Sequence, residues 1–125
     1  MYGSSQYDVI VSNNLFGDIL TDLGAAIQGG LGLAASGNIH PGRVSLFEPV
    51  HGSAPAIAGQ GIANPVGAIL TSAMMLEYLG HKGASQTIEK AVGEAIAHDE
   101  TTRDLGGTLS TEQVGTAVCG RLGNR

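Results

Sequence analysis

The chain has 125 residues, of which 42% are apolar and 4% aromatic, with no Trp; this fits one domain whose core rests on aliphatic side chains. A formal charge of −5, with only six Lys and Arg, excludes the basic footprint of a nucleic-acid or anionic-membrane surface. A single cysteine, Cys119, excludes an internal disulfide framework and predicts a reducing, cytoplasmic compartment.

Residues 1–6 are short and polar, so no signal peptide is expected. Residues 7–12 form a short β-branched run that reads as a buried strand. Asn13 and Asn14 then turn the chain into a helix over 15–28, whose apolar stripe is Ile19, Leu20, Leu23, Ala26 and Ile27. A second stripe, Asp18, Asp22, Ala25 and Gly29, sets two acids and then small residues beside it. A glycine-rich connection, 29–42, leads to a second strand at 44–47 and an irregular loop at 48–61. The apolar segment 62–79 is broken by Asn64, Pro65, Thr71, Ser72 and Glu77, so it reads as a core helix and not as a membrane span. Asn64 as N-cap and Pro65 at the first helical position start that helix. An amphipathic helix over 85–98 follows, with Ile88, Ala91, Val92, Ala95 and Ile96 inward. Ser110 and Gln113 form a capping-box pattern that opens the last helix, carrying Val114, Ala117, Val118 and Leu122. Strands alternating with about four helices predict an α/β fold. Two strands do not make a stable sheet alone. Either further strands lie in the glycine-rich loops, or another chain completes the sheet.

Two places carry chemistry. Asp18 and Asp22 are four residues apart, so both carboxylates share one helix face. Carboxylate oxygens suit Mg²⁺ or Mn²⁺, and Mg²⁺ takes only one or two of them, completing its octahedron with water and substrate. The alternative is a solvated helix face, with Asp18 favoured by the helix dipole. The loop from Phe47 to Pro55 surrounds His51 with Gly52, Ser53 and Ala54. Small residues let backbone N–H groups face a ligand, and an imidazole stacks on or hydrogen-bonds a purine or ribose. The alternative is a turn that happens to contain His. Gly30-Leu-Gly32-Leu-Ala-Ala35 matches the letters of a dinucleotide fingerprint, but that motif needs a strand before it and a helix after it; here the order is helix, then loop. His40, His81 and His98 read as surface residues. Cys119 and the pair Met74 and Met75 read as packing residues.

Together these motifs resemble a known family. Residues 14–33, beginning Asn14-Leu-Phe-Gly-Asp18-Ile-Leu-Thr-Asp22, resemble the signature of the β-decarboxylating dehydrogenases, which include the isocitrate, 3-isopropylmalate, homoisocitrate and tartrate dehydrogenases. Residues 47–55 and 59–65 resemble that family's adenosine-binding loop, and residues 102–107 its C-terminal loop. The resemblance implies a partial isopropylmalate-dehydrogenase-like α/β fold. It implies oxidation of a 2-hydroxy acid by NAD, or NADP, followed by loss of CO₂ with the help of Mg²⁺ or Mn²⁺. Asp18 and Asp22 would hold the metal, with a third carboxylate from the partner subunit of a dimer. Glu48, His51, Gly52, Ser53, Ala54 and Asn64 would line the cofactor pocket.

Two departures shape the expectation. Ala56 stands where NAD-dependent members usually carry Asp and NADP-dependent isocitrate members tend to carry Lys, so cofactor preference stays open. The resemblance covers only the C-terminal third of the family, leaving the substrate-binding arginines and the catalytic Tyr and Lys upstream. The expectation is therefore one C-terminal segment spanning residues 1–125 and inactive alone, completed by a homo-oligomer or an N-terminal partner. The rival is a non-catalytic self-associating or nucleotide-binding protein derived from such an enzyme, pairing through the helix at 64–79.

Overall fold

Asn13 starts the first helix in the computed structural model, which describes residues 7–123. Its side-chain oxygen accepts the Phe16 N–H at 3.1 Å, satisfying one of the amide donors that a helix start leaves free. Helix α1 runs Asn14–Ile27 and strand β1 Ala35–Asn38. Strand β2 runs Leu46–Pro49, and a 3-10 turn follows at Pro55–Ile57. Helix α2 spans Val66–Tyr78 and helix α3 Lys82–Ala97. A second 3-10 turn, Arg103–Leu105, precedes helix α4, Thr111–Leu122. Among the described residues this is a mixed α/β fold of four helices and one two-stranded sheet, with α2 as the helix that packs against the sheet.

Strand β1 pairs with β2 in antiparallel register, Ala35 opposite Pro49 and Asn38 opposite Leu46. Sequence reasoning misplaced one of these strands. Residues 7–12 form no strand; Val9 and Val11 are 80% and 92% exposed. A β-branched run needs a neighbouring strand to satisfy its backbone, and no described segment offers one. Ala35-Ser-Gly-Asn38 has weak strand propensity, yet β2 gives it ladder partners on one side and α2 packs against both strands. Context overrides propensity here.

The core joins α2, α3 and α4: Val66, Ala91, Val92, Ala95, Val114 and Val118 are buried together. The predicted inward faces of α3 and α4 hold, except that Ile96 is exposed. Helix α3 begins three residues earlier than expected and so brings Ser85 into the interior. Helix α2 begins at Val66, with Pro65 as its cap residue; Asn64 lies one position before and accepts the Val66 N–H at 2.9 Å through its side-chain oxygen. The capping box at Ser110 and Gln113 is present in both directions.

Helix α1 differs most from expectation. Its stripe of Ile19, Leu20, Leu23 and Ile27 is exposed, and Ala25 is its one buried residue. Among the described residues no other helix or strand packs broadly against it. Met75 and Cys119 are exposed as well, and not packing residues. No helix among the described residues is long and apolar enough to cross a membrane.

Candidate functional site

Three adjoining hollows meet at one side chain, His51. The largest, about 690 Å³, lies between α1 and the sheet and is walled by Asp18, Thr21, Ser36, Asn38, Glu48, His51 and Gly52. Asp22, one helical turn after Asp18, is exposed but is not one of its walls. A second hollow, about 320 Å³, is bounded by Gly32, His51, Ala54, Ile57, Ile62, Ala63, Asn64, Arg103 and Asp104. A third, about 450 Å³, runs along Gly52, Ser53, Ala54, Ala58, Gly59, Gly61 and Thr111 and again touches His51.

The loop that carries His51 is shaped by short-range geometry. Ala54 adopts a left-handed conformation at φ 43° and starts the 3-10 turn at Pro55. A non-glycine residue rarely sits there, and such local strain gathers at ligand sites. His51 Nδ1 lies 3.0 Å from the Gly52 carbonyl oxygen, while its Nε2 is buried with no hydrogen-bond partner among the described residues. Buried polar atoms are nearly always paired, so an orphaned imidazole nitrogen at the junction of three hollows suits a polar group of a ligand.

Asn64 is held by both ends of its amide. Its oxygen accepts from Val66, and its Nδ2 donates to Asp104 Oδ2 at 2.9 Å. Asp104 Oδ1 accepts from the hydroxyl of the buried Thr102. Partial burial pushes the Asp104 carboxyl toward the neutral form. Hydrogen bonds from Thr102, Asn64 and the backbone N–H groups of residues 104 and 105 outweigh it and hold the carboxyl below the ordinary aspartate range. Gly32 approaches this pair from the other side. A Cβ there would meet Asp104 Oδ2 at 2.9 Å and the Asn64 Cβ at 3.1 Å.

The sequence profile described as isocitrate/isopropylmalate dehydrogenase matches residues 1–118. The chain belongs to this family. The isocitrate/homoisocitrate dehydrogenase of Thermus thermophilus is 58% identical over 113 residues, covering 90% of this chain and 34% of that protein. The 3-isopropylmalate dehydrogenase of Corynebacterium jeikeium is 57% identical over 120 residues, covering 94% of this chain and 34% of that one. The crystal structure of isocitrate dehydrogenase from Methylococcus capsulatus superposes with a TM-score of 0.88 at 48% identity, over 94% of this chain and 35% of its own. The chain thus spans about a third of the length of the curated relatives it matches.

Isocitrate/isopropylmalate dehydrogenases in general depend on NAD or NADP and on Mg²⁺ or Mn²⁺. Of the six residues predicted to line a cofactor pocket, His51, Ala54 and Asn64 border one hollow. Gly52 and Ser53 border the next, and Glu48 stands on the far side with Asp18. Sequence reasoning assigned no role to Gly32, Ile57, Arg103, Asp104 and Thr111, which also wall these spaces. The only signal for Arg103 and Asp104 was their loop motif. Among the described residues, no cluster of three or more His, Cys, Asp or Glu is arranged to hold a metal ion. Two carboxylates still fit Mg²⁺, whose other positions go to water and substrate.

Proposed function

We propose that this chain is the adenosine-binding and part of the metal-binding portion of a β-decarboxylating dehydrogenase acting on a 2-hydroxy acid. The observation that carries the reading is the convergence of His51, Ala54 and Asn64 on one hollow, with an unpaired His51 Nε2 at its edge. In this reading His51 and Asn64 meet the adenine. Gly52, Ser53 and Ala54 let the backbone approach the adenosine, and Glu48 lines the cofactor pocket from the hollow it shares with Asp18. Asp18 and Asp22 supply two carboxylates to Mg²⁺ or Mn²⁺ from successive turns of α1, and further ligands come from outside this chain. When bound, NAD or NADP accepts the hydride, and the divalent ion withdraws charge from the oxygens of the hydroxy acid. Hydride transfer also needs substrate-binding and proton-transferring groups that the family resemblance places upstream, so the 125-residue chain alone is expected to bind adenosine ligands without turnover.

The test is calorimetric titration of the chain with NAD, NADP, 5′-AMP and Mn²⁺, beside a dehydrogenase assay on isopropylmalate, isocitrate and tartrate. Adenosine ligands that bind, and bind at least about tenfold more weakly to His51→Ala, support the reading. Sustained NADH or NADPH formation by the chain alone overturns the inactive-segment part of it.

One observation favours a second reading, a non-catalytic self-associating protein. The apolar face of α1 is uncovered, whereas α2 is occupied by α3 and the sheet. The contact would therefore run through α1 and not through α2. A folded oligomer that binds none of the four ligands supports it.

A further inference from the structure

Resting on the adenosine reading above, we propose that Thr111 is a positioning residue for the nucleotide: from the start of α4 it fixes the loop at 59–63 and, through that loop, the Asn64 amide.

The loop joins the first 3-10 turn to α2 and walls two of the hollows that meet at His51. Ile62 and Ala63 border one; Gly59, Gly61 and Ala63 border the other. The loop has no helix or ladder of its own. Gly59 and Gly61 sit at φ 76° and 66°, the left-handed region that glycine enters freely, and glycine adds chain freedom where it stands. A single shape for this loop therefore depends on contacts from outside it.

Thr111 provides them with both of its donors. Its N–H donates to the Gly61 carbonyl at 2.8 Å, and its hydroxyl donates to the Ala63 carbonyl at 2.5 Å. Among the described residues, no other hydrogen bond reaches 61–63 from outside the loop. The first N–H groups of a helix have no partner inside it, which leaves that of Thr111 available. The cap of α4 is complete without Thr111, because Ser110 and Gln113 each bond the other's backbone. The two ties thus serve the loop and not the helix. They clamp the backbone on both sides of Ile62, and Asn64 is the next residue after Ala63. Asp104 then holds the Asn64 amide by its Nδ2. Thr111 sets where the Asn64 backbone stands, and Asp104 sets how its side chain is turned.

The experiment titrates the 125-residue chain with 5′-AMP by calorimetry, beside variants whose urea midpoints are measured first. Thr111→Val keeps the shape and drops the hydroxyl, and Thr111→Ser keeps both donors. Thr111→Pro removes both donors at a position where Pro suits a helix start. With each chain folded, Thr111→Val should bind about threefold more weakly and Thr111→Pro about tenfold or more, while Thr111→Ser stays within about twofold of the parent. If Thr111→Val or Thr111→Pro does not fold, hydrogen exchange on the unaltered chain decides: saturating 5′-AMP should slow exchange of the Thr111 N–H more than that of Val92 in the core of α3. Equal 5′-AMP affinity in the folded parent, Val and Pro variants, or equal slowing at the two amides, reduces the ties to a structural role; it overturns the assignment and leaves the adenosine pocket standing. No binding of 5′-AMP by the parent overturns the pocket itself and the assignment with it.

Discussion

Asn64 Nδ2 sits 2.9 Å from Asp104 Oδ2, a hydrogen bond that closes a separation of forty residues. It ties the start of α2 to the loop before α4 and forms one wall of the proposed adenosine site. The carboxyl of Asp104 is held below its ordinary range, so in the unfolded chain it takes up a proton at higher pH than in the folded one. Its contribution to stability is therefore complete above about pH 4 and is lost as pH falls toward the lower folded-state value. Because the residue is exposed, screening keeps that contribution below about 1 kcal/mol. Urea unfolding of the chain and of Asp104→Asn from pH 2.5 to 7 should show a gap at neutral pH that closes in acid. A gap that widens in acid would contradict it.

Gly107 admits no side chain. A Cβ there would lie 2.1 Å from the Thr101 carbonyl oxygen and 2.3 Å from its hydroxyl, and Thr101 is buried. Backbone cannot yield as a flexible side chain does. Gly107→Ala should cost about 2–3 kcal/mol, read from the denaturation midpoint. Gly93→Ala, with nothing within 4 Å of the added atom, is the control and should stabilise α3 slightly.

Gly32→Ala tests the proposed nucleotide site by crowding its polar groups without replacing any of them. The added methyl would press on Asp104 Oδ2 and Asn64, so adenosine ligands should bind at least about tenfold more weakly. Unchanged 5′-AMP affinity in a folded variant would place the nucleotide elsewhere.

The metal reading is local and has a local readout. Mn²⁺ should broaden the NMR signals of residues near Asp18 and Asp22 before any others, and Asp18→Asn with Asp22→Asn should abolish this. Broadening spread evenly over the scattered acids would argue for a solvated helix face.

Ile19 and Ile27 are 57% and 67% exposed on α1. Lys at either position should change the stability of the single chain by less than about 0.5 kcal/mol. If α1 is the self-association surface, the same changes should shift sedimentation toward the monomer.

The helices were legible in the sequence wherever a local signal spoke for them. Asn13 ahead of α1, the capping box of α4 and the periodic core of α3 all act within one or two turns. The strands were not, because pairing is settled between segments. The β-branched residues at 9–11 find no partner, while Ala35-Ser-Gly-Asn38 becomes a strand through Leu46–Pro49. The site divides the same way. His51 stood out by its small neighbours. Asp104 did not, because what distinguishes it is Asn64, which only the folded chain brings near. The apolar period of α1 was read correctly as a helix and wrongly as a core face, since periodicity says that a stripe exists and not what covers it.

The contact between Gly67 and Gly32 carries one more implication. The Gly67 N–H donates to the Gly32 carbonyl at 2.8 Å, and a Cβ on Gly67 would come within 3.0 Å of that oxygen. The opening turn of α2 thus leans directly on the strip of backbone that walls the Asn64 hollow. That wall is set by the same packing that seats α2 against its neighbours. If the proposed adenosine site is right, a nucleotide arriving there meets a surface already in position, and whatever loosens the helix seat should loosen the ligand's grip in step.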